Sequence, residues 1–395
     1  METLTLDLKD VAEQVVLDRR HLHMHPELRF EEHETGTFVA ERLRALGLEV
    51  RHPVGQTGVV GLLRGGRPRG PGGRTLMLRA DMDALPIQEE NDVPYRSTVP
   101  GAMHACGHDG HTAILLGVAQ VLARRPERLA GDLKLCFQPA EEGSGGALAM
   151  IEAGVLEEPK VDAAVGLHLA QWLPLGTVAV SPGAIHATPT RLEIDISGRG
   201  GHAAAPHRCV DAVLVAAQVV VALHQIVARE VNPLELAVIT IGSSHAGTTF
   251  NVIADTAQLR GTIRAYDEEM RDFLRRRIEE VATGVARAMR AEAAVRTFPG
   301  PPPVVNDPDL ADLVASVAAE TPGVRETVAC QPSMGADDVA EYLKRVPGCY
   351  FWLGTRNEQR GLVWDHHHPR FDLDEAALPL GVELLGRIAE RYLSG

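Results

Sequence analysis

Five short segments of the chain carry side chains that bind metal ions or move protons. They are Ala80–Pro86 (ADMDALP), Met103–His111 (MHACGHDGH), Pro139–Gly143 (PAEEG), Gly166–His168 (GLH) and Trp364–Pro369 (WDHHHP). Cysteine, histidine and glutamate from separate loops suit zinc-like transition metals, whereas magnesium and calcium prefer oxygen ligands. The two adjacent glutamates of the third segment allow a division of labour, in which one carboxylate binds metal and the other removes a proton from water.

Each of these residue types also has a common structural role, and the spacing decides against it. Cys106 alone would be interpreted as a small buried thiol, but it lies two residues from His108 in a glycine-flanked loop just before a helix, where a thiolate is favoured. The glutamate pair would ordinarily be a solvated surface feature, yet it follows an apolar run and Pro139. The acids Asp81 and Asp83 are expected to orient ligand imidazoles through hydrogen bonds.

The elements that must position these side chains are strands and helices in alternation. Apolar runs predict strands at Thr75–Arg79, Leu133–Gln138, Val161–Leu169 and Cys349–Leu353. Helical patterns occur at Val11–Leu22, Thr35–Leu46, Thr112–Ala123 and from Asp374 onward. This alternation predicts an α/β domain with a mixed, mostly parallel sheet. Ligands bind at the carboxyl ends of the strands in such sheets, so the acid and imidazole clusters that follow three of the runs are expected to converge on one rim.

Between residues 182 and 296 the pattern changes to that of a second domain. Thr190–Ser197 alternates apolar and polar residues, as a strand with one solvated face does. The predicted order across the segment is β-α-β-β-α-β, which is typical of a ferredoxin-like unit. We therefore expect an inserted α+β domain at 182–296 and a catalytic domain made of 1–181 and 297–395.

Composition excludes several classes of function. The 39 basic and 53 acidic residues give a net charge of −14, and no block of Lys or Arg suggests a nucleic-acid partner. The five cysteines are widely spaced and the chain start lacks the pattern of a signal peptide, so we expect no disulfide framework and a cytoplasmic protein. The uncharged stretch Ala212–Ala228 is short for a membrane span and predicts a largely buried helix.

The chain closely resembles the hippurate hydrolase and N-acyl-L-amino-acid amidohydrolase family, which includes the plant auxin-conjugate hydrolases and belongs to the aminoacylase and carboxypeptidase metallopeptidase superfamily. Ten collinear motifs carry the resemblance: HMHPELRFEE (23–32), LRADMDALPI (78–87), MHACGHDGHTA (103–113), FQPAEEG (137–143), GLH (166–168), GRGGHAAAPH (198–207), NVI (251–253), GTIRA (261–265), SMG (333–335) and HHPRFDLDE (367–375). Each motif is weak by itself, but their order and spacing along nearly the whole chain make the signal strong.

The resemblance implies two divalent metal ions per subunit, with zinc, manganese, cobalt and nickel all open, and a small-molecule N-acyl amino acid as substrate. Metal-dependent hydrolysis would release a carboxylic acid and a free amino acid. The inserted domain is expected to act as a lid and to form a homodimer or a dimer-based assembly. The implied site comprises the metal ligands Cys106, His108, Glu142, His168 and His367, the general base Glu141, Asp83 as the acid that orients a ligand, and the substrate-binding residues His202, Asn251 and Arg264.

Departures from the family pattern and rival functions remain open at this stage. Ala254 replaces a usual proline, and Asp337-Asp338-Val339 replaces a usual Glu-Asp-Phe, which is expected to reshape the acyl or side-chain pocket without touching the metal ligands. The same chemistry would serve an N-acetyl-diaminopimelate deacetylase or a small dipeptidase. A cysteine hydrolase with Cys106 as nucleophile would leave the glutamate pair without a role, and a metal-bearing protein without catalysis is the remaining alternative.

Overall fold

The computed structural model describes residues 9–67, 73–143 and 145–394. The described residues form two compact units. The first comprises the described parts of Met1–Gly183, Val305–Gln331 and Asp337–Gly395, and the second comprises Ala184–Val304 with Pro332–Ala336. The limits 182–296 for the inserted domain stay a prediction.

The helices of the described chain begin and end as follows. They are α1 (Lys9–Met24), α2 (His33–Ala45), α3 (His108–Ala123), α4 (Gly146–Glu152), α5 (Ala212–Arg229), α6 (Glu268–Ala288), α7 (Pro308–Glu320), α8 (Ala340–Leu343) and α9 (Ala377–Ser394), with short 3-10 helices at Pro126–Arg128, Pro206–Arg208 and Glu358–Arg360.

The strands alternate with these helices in the first unit and dominate the second. They are β1 (Glu49–Val54), β2 (Gly58–Leu63), β3 (Thr75–Asp81), β4 (Asp132–Gln138), β5 (Ala163–Pro174), β6 (Thr177–Ala179), β7 (Gly183–His186), β8 (Thr188–Ser197), β9 (Gly201–His202), β10 (Ala237–Ala246), β11 (Val252–Ile253), β12 (Thr256–Ala265), β13 (Glu292–Pro299), β14 (Val304–Asn306), β15 (Glu326–Val328) and β16 (Gly348–Arg356).

The first unit is built on an eight-stranded mixed sheet in the order β1-β2-β4-β3-β5-β16-β6-β15. Its central strands β4, β3, β5 and β16 run parallel, while β1, β2 and the β16–β6 pair are antiparallel. Strands β3 and β4 are buried along their whole length, as strands covered on both faces must be. Helices α1, α3 and α9 contribute apolar side chains to the core on this sheet. The predicted α/β class is confirmed.

Strand β5 is longer than the sequence predicts. Its apolar run was expected to end near Leu169, but β5 continues to Pro174 because it pairs with β16 as far as Arg356. His168 therefore lies within the strand, opposite Trp352, rather than at its end. Pairing with a neighbouring strand, which no local pattern reveals, sets this length.

The second unit has a four-stranded antiparallel sheet in the order β10-β12-β8-β13. If the four strands β8, β10, β12 and β13 are numbered 1 to 4 in chain order, the strand order is 2-3-1-4. Helices α5 and α6 pack on the sheet and share an apolar core with it. The expected ferredoxin-like α+β fold is confirmed.

Helix α5 is the single described helix long and apolar enough to cross a membrane by length and composition. The prediction of a largely buried helix is wrong, because only six of its 18 residues are buried. These six face the core of the second unit, whereas Val213, Leu214 and Val221 are about half exposed or more. A hydrophobic run shows that a helix is apolar but not how many of its faces are covered.

Candidate metal centre

Side chains able to hold metal ions come together at one edge of the sheet in the first unit. Ligand atoms of Cys106, His108 and His168 lie within 4.8 Å of one another, and so do those of Cys106, Glu142 and His367. Cys106 therefore belongs to two groups of three. Gly107, with a φ of +90°, separates Cys106 from His108 and supplies a left-handed turn that favours glycine.

Two of the histidines have their ring nitrogens disposed as metal ligands require. The Nδ1 of His108 donates to the backbone oxygen of Asp83 (2.9 Å), and its buried Nε2 has no hydrogen-bond partner among the described residues. The Nδ1 of His168 donates to the oxygen of Leu169 (2.8 Å), which leaves Nε2 at 3.6 Å from the Cys106 sulfur. A ring whose N–H binds a carbonyl presents the lone pair of its other nitrogen to a cation. The residues present fit a transition-metal site.

Three consecutive histidines follow Asp365, and the structure distinguishes them. His367 Nε2 lies 3.1 Å from Glu142 Oε1, and its backbone has a φ of +64°. His366 is directed elsewhere, with Nε2 donating to the Leu169 oxygen, and burial lowers its pKa to about 3. His368 stacks on Trp364 with ring centres 4.2 Å apart. Of these three histidines, only His367 has a ring nitrogen within 4.8 Å of the ligand atoms of Cys106 and Glu142.

The Glu141–Glu142 turn is held by the carboxylate of Asp83. Its two oxygens accept the backbone N–H groups of Glu141 and Glu142, both at 3.0 Å, and one oxygen lies 3.3 Å from His108 Nδ1. Burial opposes ionisation of Asp83, but the His108 ring and the Glu142 N–H outweigh it, so the pKa of Asp83 lies below its ordinary value. Asp83 thus contacts the backbone that presents both glutamates.

The N-terminal motif HMHPELRFEE contacts the backbone on either side of the Glu141–Glu142 turn. Glu32 accepts the N–H of Ala140 (2.8 Å), and Arg29 donates to the oxygen of Glu142 (2.9 Å). Gly146 closes the turn, because a Cβ there would lie 1.6 Å from the Pro139 oxygen. The motif therefore acts by holding backbone rather than by supplying ligands.

Asp81 and His111 form a satisfied pair beside the centre. His111 Nδ1 donates to Asp81 (2.6 Å), and His111 Nε2 accepts the Leu169 N–H (2.9 Å). Both ring nitrogens are used, so His111 has none left for an ion. The other Asp81 oxygen accepts from Arg79 (2.6 Å).

Arg79, Asp337 and Asp338 are contributors that the sequence did not reveal. The buried Arg79 guanidinium binds Asp81, Asp337 and Asp338, and carboxylate oxygens of the last two lie within 4.8 Å of a Glu141 oxygen. Asp337 and Asp338 were expected to affect the acyl pocket, yet they are buried beside the candidate base. The available signal was a charged residue inside an apolar run, Arg79 between Leu78 and Ala80.

Electrostatics in the ion-free chain favour the protonated forms of the thiol and the base. Burial raises the pKa of the Cys106 thiol. Burial, with a further contribution from the Asp337 charge, raises the pKa of Glu141 well above its ordinary value. A divalent cation reverses this tendency, because it stabilises thiolate and carboxylate.

The substrate-binding candidates lie in the second unit and are not all together. His202 on β9 pairs with Val252 on β11, and the Ala203 N–H donates to the Asn251 oxygen (3.2 Å), so His202 and Asn251 share a small exposed ribbon. The ribbon leads into Thr256, where β12 begins. Arg264 lies eight residues further along β12, about 27 Å away at about 3.4 Å per residue, and makes no ion pair with the described residues.

Comparison with known proteins adds three findings. Residues 77–391 match the family model described as peptidase family M20/M25/M40. The chain is 41% identical to thermostable carboxypeptidase 2 of Saccharolobus solfataricus (96% of both chains) and 39% identical to N-acetyl-L-cysteine deacetylase of Bacillus subtilis (99% of this chain, 91% of the relative). Among solved structures, the Bacillus subtilis YXEP protein, described as a dinuclear metal binding peptidase from the M20 family, has a TM-score of 0.85 and 36% identity and covers 98% of this chain and 99% of its own.

Proposed function

The chain belongs to peptidase family M20/M25/M40 and is a hydrolase of the amidohydrolase type, and on that premise we propose that it uses two divalent metal ions to hydrolyse the amide bond of N-acyl amino acids. The observation that carries the proposal is the sharing of Cys106 between two groups of ligands, His108 with His168 and Glu142 with His367. Similarity to a deacetylase of an N-acetyl amino acid supports this substrate class.

Glu141 is the proposed general base. Its neighbour Glu142 is a proposed metal ligand, and a Glu141 carboxylate oxygen lies 4.0 Å from His108 Nε2. When bound, the ions would lower the pKa of a water molecule and polarise the acyl carbonyl. Glu141 would accept a proton from the attacking water and then deliver it to the leaving amine. The products are a carboxylic acid and a free amino acid.

Asp83 and Arg79 keep this base in place without touching substrate. Asp83 fixes the backbone of the glutamate turn through two N–H bonds. Arg79 balances three buried carboxylates, and two of them, Asp337 and Asp338, lie next to Glu141. This pairing limits the repulsion that Glu141 meets when it is ionised. Precise placement of a base contributes to rate because a proton transfer needs a distance of about 2.6–3.2 Å.

We propose that substrate recognition uses two subunits. His202 and Asn251 offer donors for the oxyanion that forms from the acyl carbonyl oxygen, and Arg264, which makes no ion pair with the described residues, offers a cation for the substrate carboxylate. These groups lie at opposite ends of β12, so one second unit would not present all of them to one small substrate. The ribbon of a partner subunit would complete the site.

Two exposed features of the second unit support such a partner. Strand β10 lies at the edge of its sheet, and α5 exposes Val213, Leu214 and Val221, the last 69% exposed. An edge strand beside an apolar helix face is suited to pairing with a second copy of itself. Val221→Glu is expected to convert a dimer into a monomer in light scattering and to lower activity; a wild-type monomer with full activity would contradict the two-subunit site.

The direct test is a substrate panel on protein freed of metal and reloaded. N-acetyl-, N-benzoyl- and indoleacetyl-amino acids would be assayed with Zn, Mn, Co and Ni separately. We expect turnover of at least one N-acyl amino acid, dependent on the added metal. Turnover of unblocked dipeptides alone would favour the dipeptidase alternative, and N-acetyl-diaminopimelate as the one good substrate would favour the deacetylase.

Two other mechanisms are separated by simple controls. Activity that survives exhaustive chelation would favour Cys106 as a nucleophile over a metal mechanism. Absence of turnover across the panel, with metal bound, would favour a binding protein.

A further inference from the structure

Arg19 is a fully buried cation on α1 that the proposed mechanism does not use. Its Nε donates to Asp109 (2.8 Å), one of its terminal nitrogens donates to Asp372 (2.9 Å), and the other lies 3.4 Å from Glu375. The side chain has no solvent-exposed area. Burying a guanidinium is unfavourable unless carboxylates pair with it, and these three acids supply the compensating negative charge.

The two acids nearest Arg19 belong to different segments that carry metal-ligand candidates. Asp109 directly follows His108 in the first turn of α3. Asp372 lies five residues after His367, in a stretch from 363 to 376 that is described throughout and forms neither helix nor strand. One guanidinium therefore joins the beginning of a helix to an irregular loop.

Side-chain contacts add to backbone hydrogen bonds, such as that from the Phe371 N–H to the His368 oxygen (2.9 Å), in shaping the loop that carries His367. Asp372 also accepts from the Tyr95 hydroxyl (2.8 Å) and from the Leu373 N–H (2.8 Å). A single backbone bond, from the His367 N–H to the Ala105 oxygen (2.7 Å), ties the loop to the Cys106 segment. His367 itself has a left-handed φ, a conformation that persists only where surroundings impose it.

We propose that Arg19 is a positioning residue for the metal centre, holding the His108 and His367 segments in one arrangement so that the ions bind tightly. The inference rests on the proposed ligand set. Arg19 presents two nitrogens to two carboxylates at once, and a lysine ammonium is a point charge that lacks this fork. Partners that orient metal ligands typically contribute about 10–100-fold to metal affinity.

The test compares Arg19→Lys with Arg20→Lys. Arg20 is the next residue on the same helix, is partly exposed, and directs both of its bonding nitrogens to Glu375 (2.8 and 2.6 Å). Zinc dissociation constants would be measured by competition with a chromophoric chelator, beside thermal unfolding of the metal-free proteins. We expect about 10–100-fold weaker zinc binding in Arg19→Lys and a change below about threefold in Arg20→Lys.

A merely structural Arg19 gives a different result. Its replacement would lower the unfolding temperature of the metal-free protein and leave the zinc dissociation constants within about threefold of wild type, which would overturn the proposal. If Arg19→Lys does not fold, Asp372→Asn keeps the guanidinium and weakens the contacts that this carboxylate makes with Arg19 and with Tyr95. Unchanged zinc affinity in that variant would overturn the proposal equally.

The outcome also separates this inference from the proposed function. A wild-type chain that binds none of zinc, manganese, cobalt and nickel refutes the metal centre and the role of Arg19 with it. A wild-type chain that binds zinc tightly, together with an Arg19→Lys variant of equal affinity, refutes the role of Arg19 alone.

Discussion

Replacing Asp83 by asparagine tests how the catalytic turn is held. The side chain keeps its size, but its one remaining carbonyl oxygen can accept from only one of the Glu141 and Glu142 N–H groups. The amide NH₂ then faces the other N–H. Hydrogen bonds to a charged group contribute about 1.5–3 kcal/mol each, and an unsatisfied buried donor costs about 1–3 kcal/mol. About 1.5–2 kcal/mol from each of these two contributions gives a loss of about 3–4 kcal/mol.

If the whole loss raises the activation barrier, kcat/KM falls by a factor of about 100–1000, because about 1.4 kcal/mol corresponds to a tenfold change. kcat/KM would be measured at saturating metal, with metal content and urea unfolding determined in parallel. The exposed Asp92 provides the matched control, since Asp92→Asn changes the same functional group in the loop beyond β3. Asp83→Asn with full metal content, wild-type stability and kcat/KM within threefold of wild type would refute the reasoning.

Three further predictions concern the base, a buried lysine and a buried acid. Glu141→Gln is expected to lower kcat by about 10²–10⁴-fold without changing metal content, whereas the exposed Glu152→Gln should remain active; a parallel loss of metal would contradict a pure base role. Lys134 donates to three backbone oxygens (2.7–2.8 Å), so Lys134→Met should lower the free energy of unfolding in urea by about 2–4 kcal/mol. The control Lys160→Met, at an exposed lysine, should lower it by less than about 0.5 kcal/mol. Equal effects of the two substitutions would show that the three hydrogen bonds contribute nothing. Burial raises the pKa of Asp338 to about 7 from an ordinary 3.8, so the folded metal-free chain retains a proton that the unfolded chain loses. The contribution of Asp338 to the free energy of unfolding therefore falls as the pH rises from about 4 to about 7, by about 4 kcal/mol at most. Urea unfolding across this pH range should show a slope that Asp338→Asn lacks.

Local spacing singled out two pairs of candidate residues, whereas the resemblance was needed to assign His168 and His367 as ligands. Cys106 and His108 share one turn, and Glu141 and Glu142 are adjacent, so spacing alone relates them. The strand alternation then predicted the edge of the sheet to which these segments belong, and β3, β4 and β5 do lie side by side in parallel.

Long-range partners could not be predicted in the same way. Arg79 meets Asp337 and Asp338 about 260 positions later in the chain, and Arg19 meets Asp372 more than 350 positions later. Such pairs depend on how strands and loops pack, and a charged residue in an apolar run indicates only that some partner exists.

The separation of Arg264 from the His202–Asn251 ribbon has a similar origin. All three are motif residues, but motifs carry no information on which end of a strand each one occupies. The offset of eight positions from Thr256 to Arg264 corresponds to about 27 Å because β12 runs unbroken through both residues.

The number of metal ions held by each chain tests the central claim most directly. Elemental analysis after dialysis would be compared among wild type, Cys106→Ala and Cys330→Ala, the last replacing a thiol outside the candidate centre. A shared Cys106 predicts two ions per chain in wild type and in Cys330→Ala, and loss of both tightly held ions in Cys106→Ala. Two ions retained by Cys106→Ala, or fewer than two in the wild type under saturating metal, would contradict it.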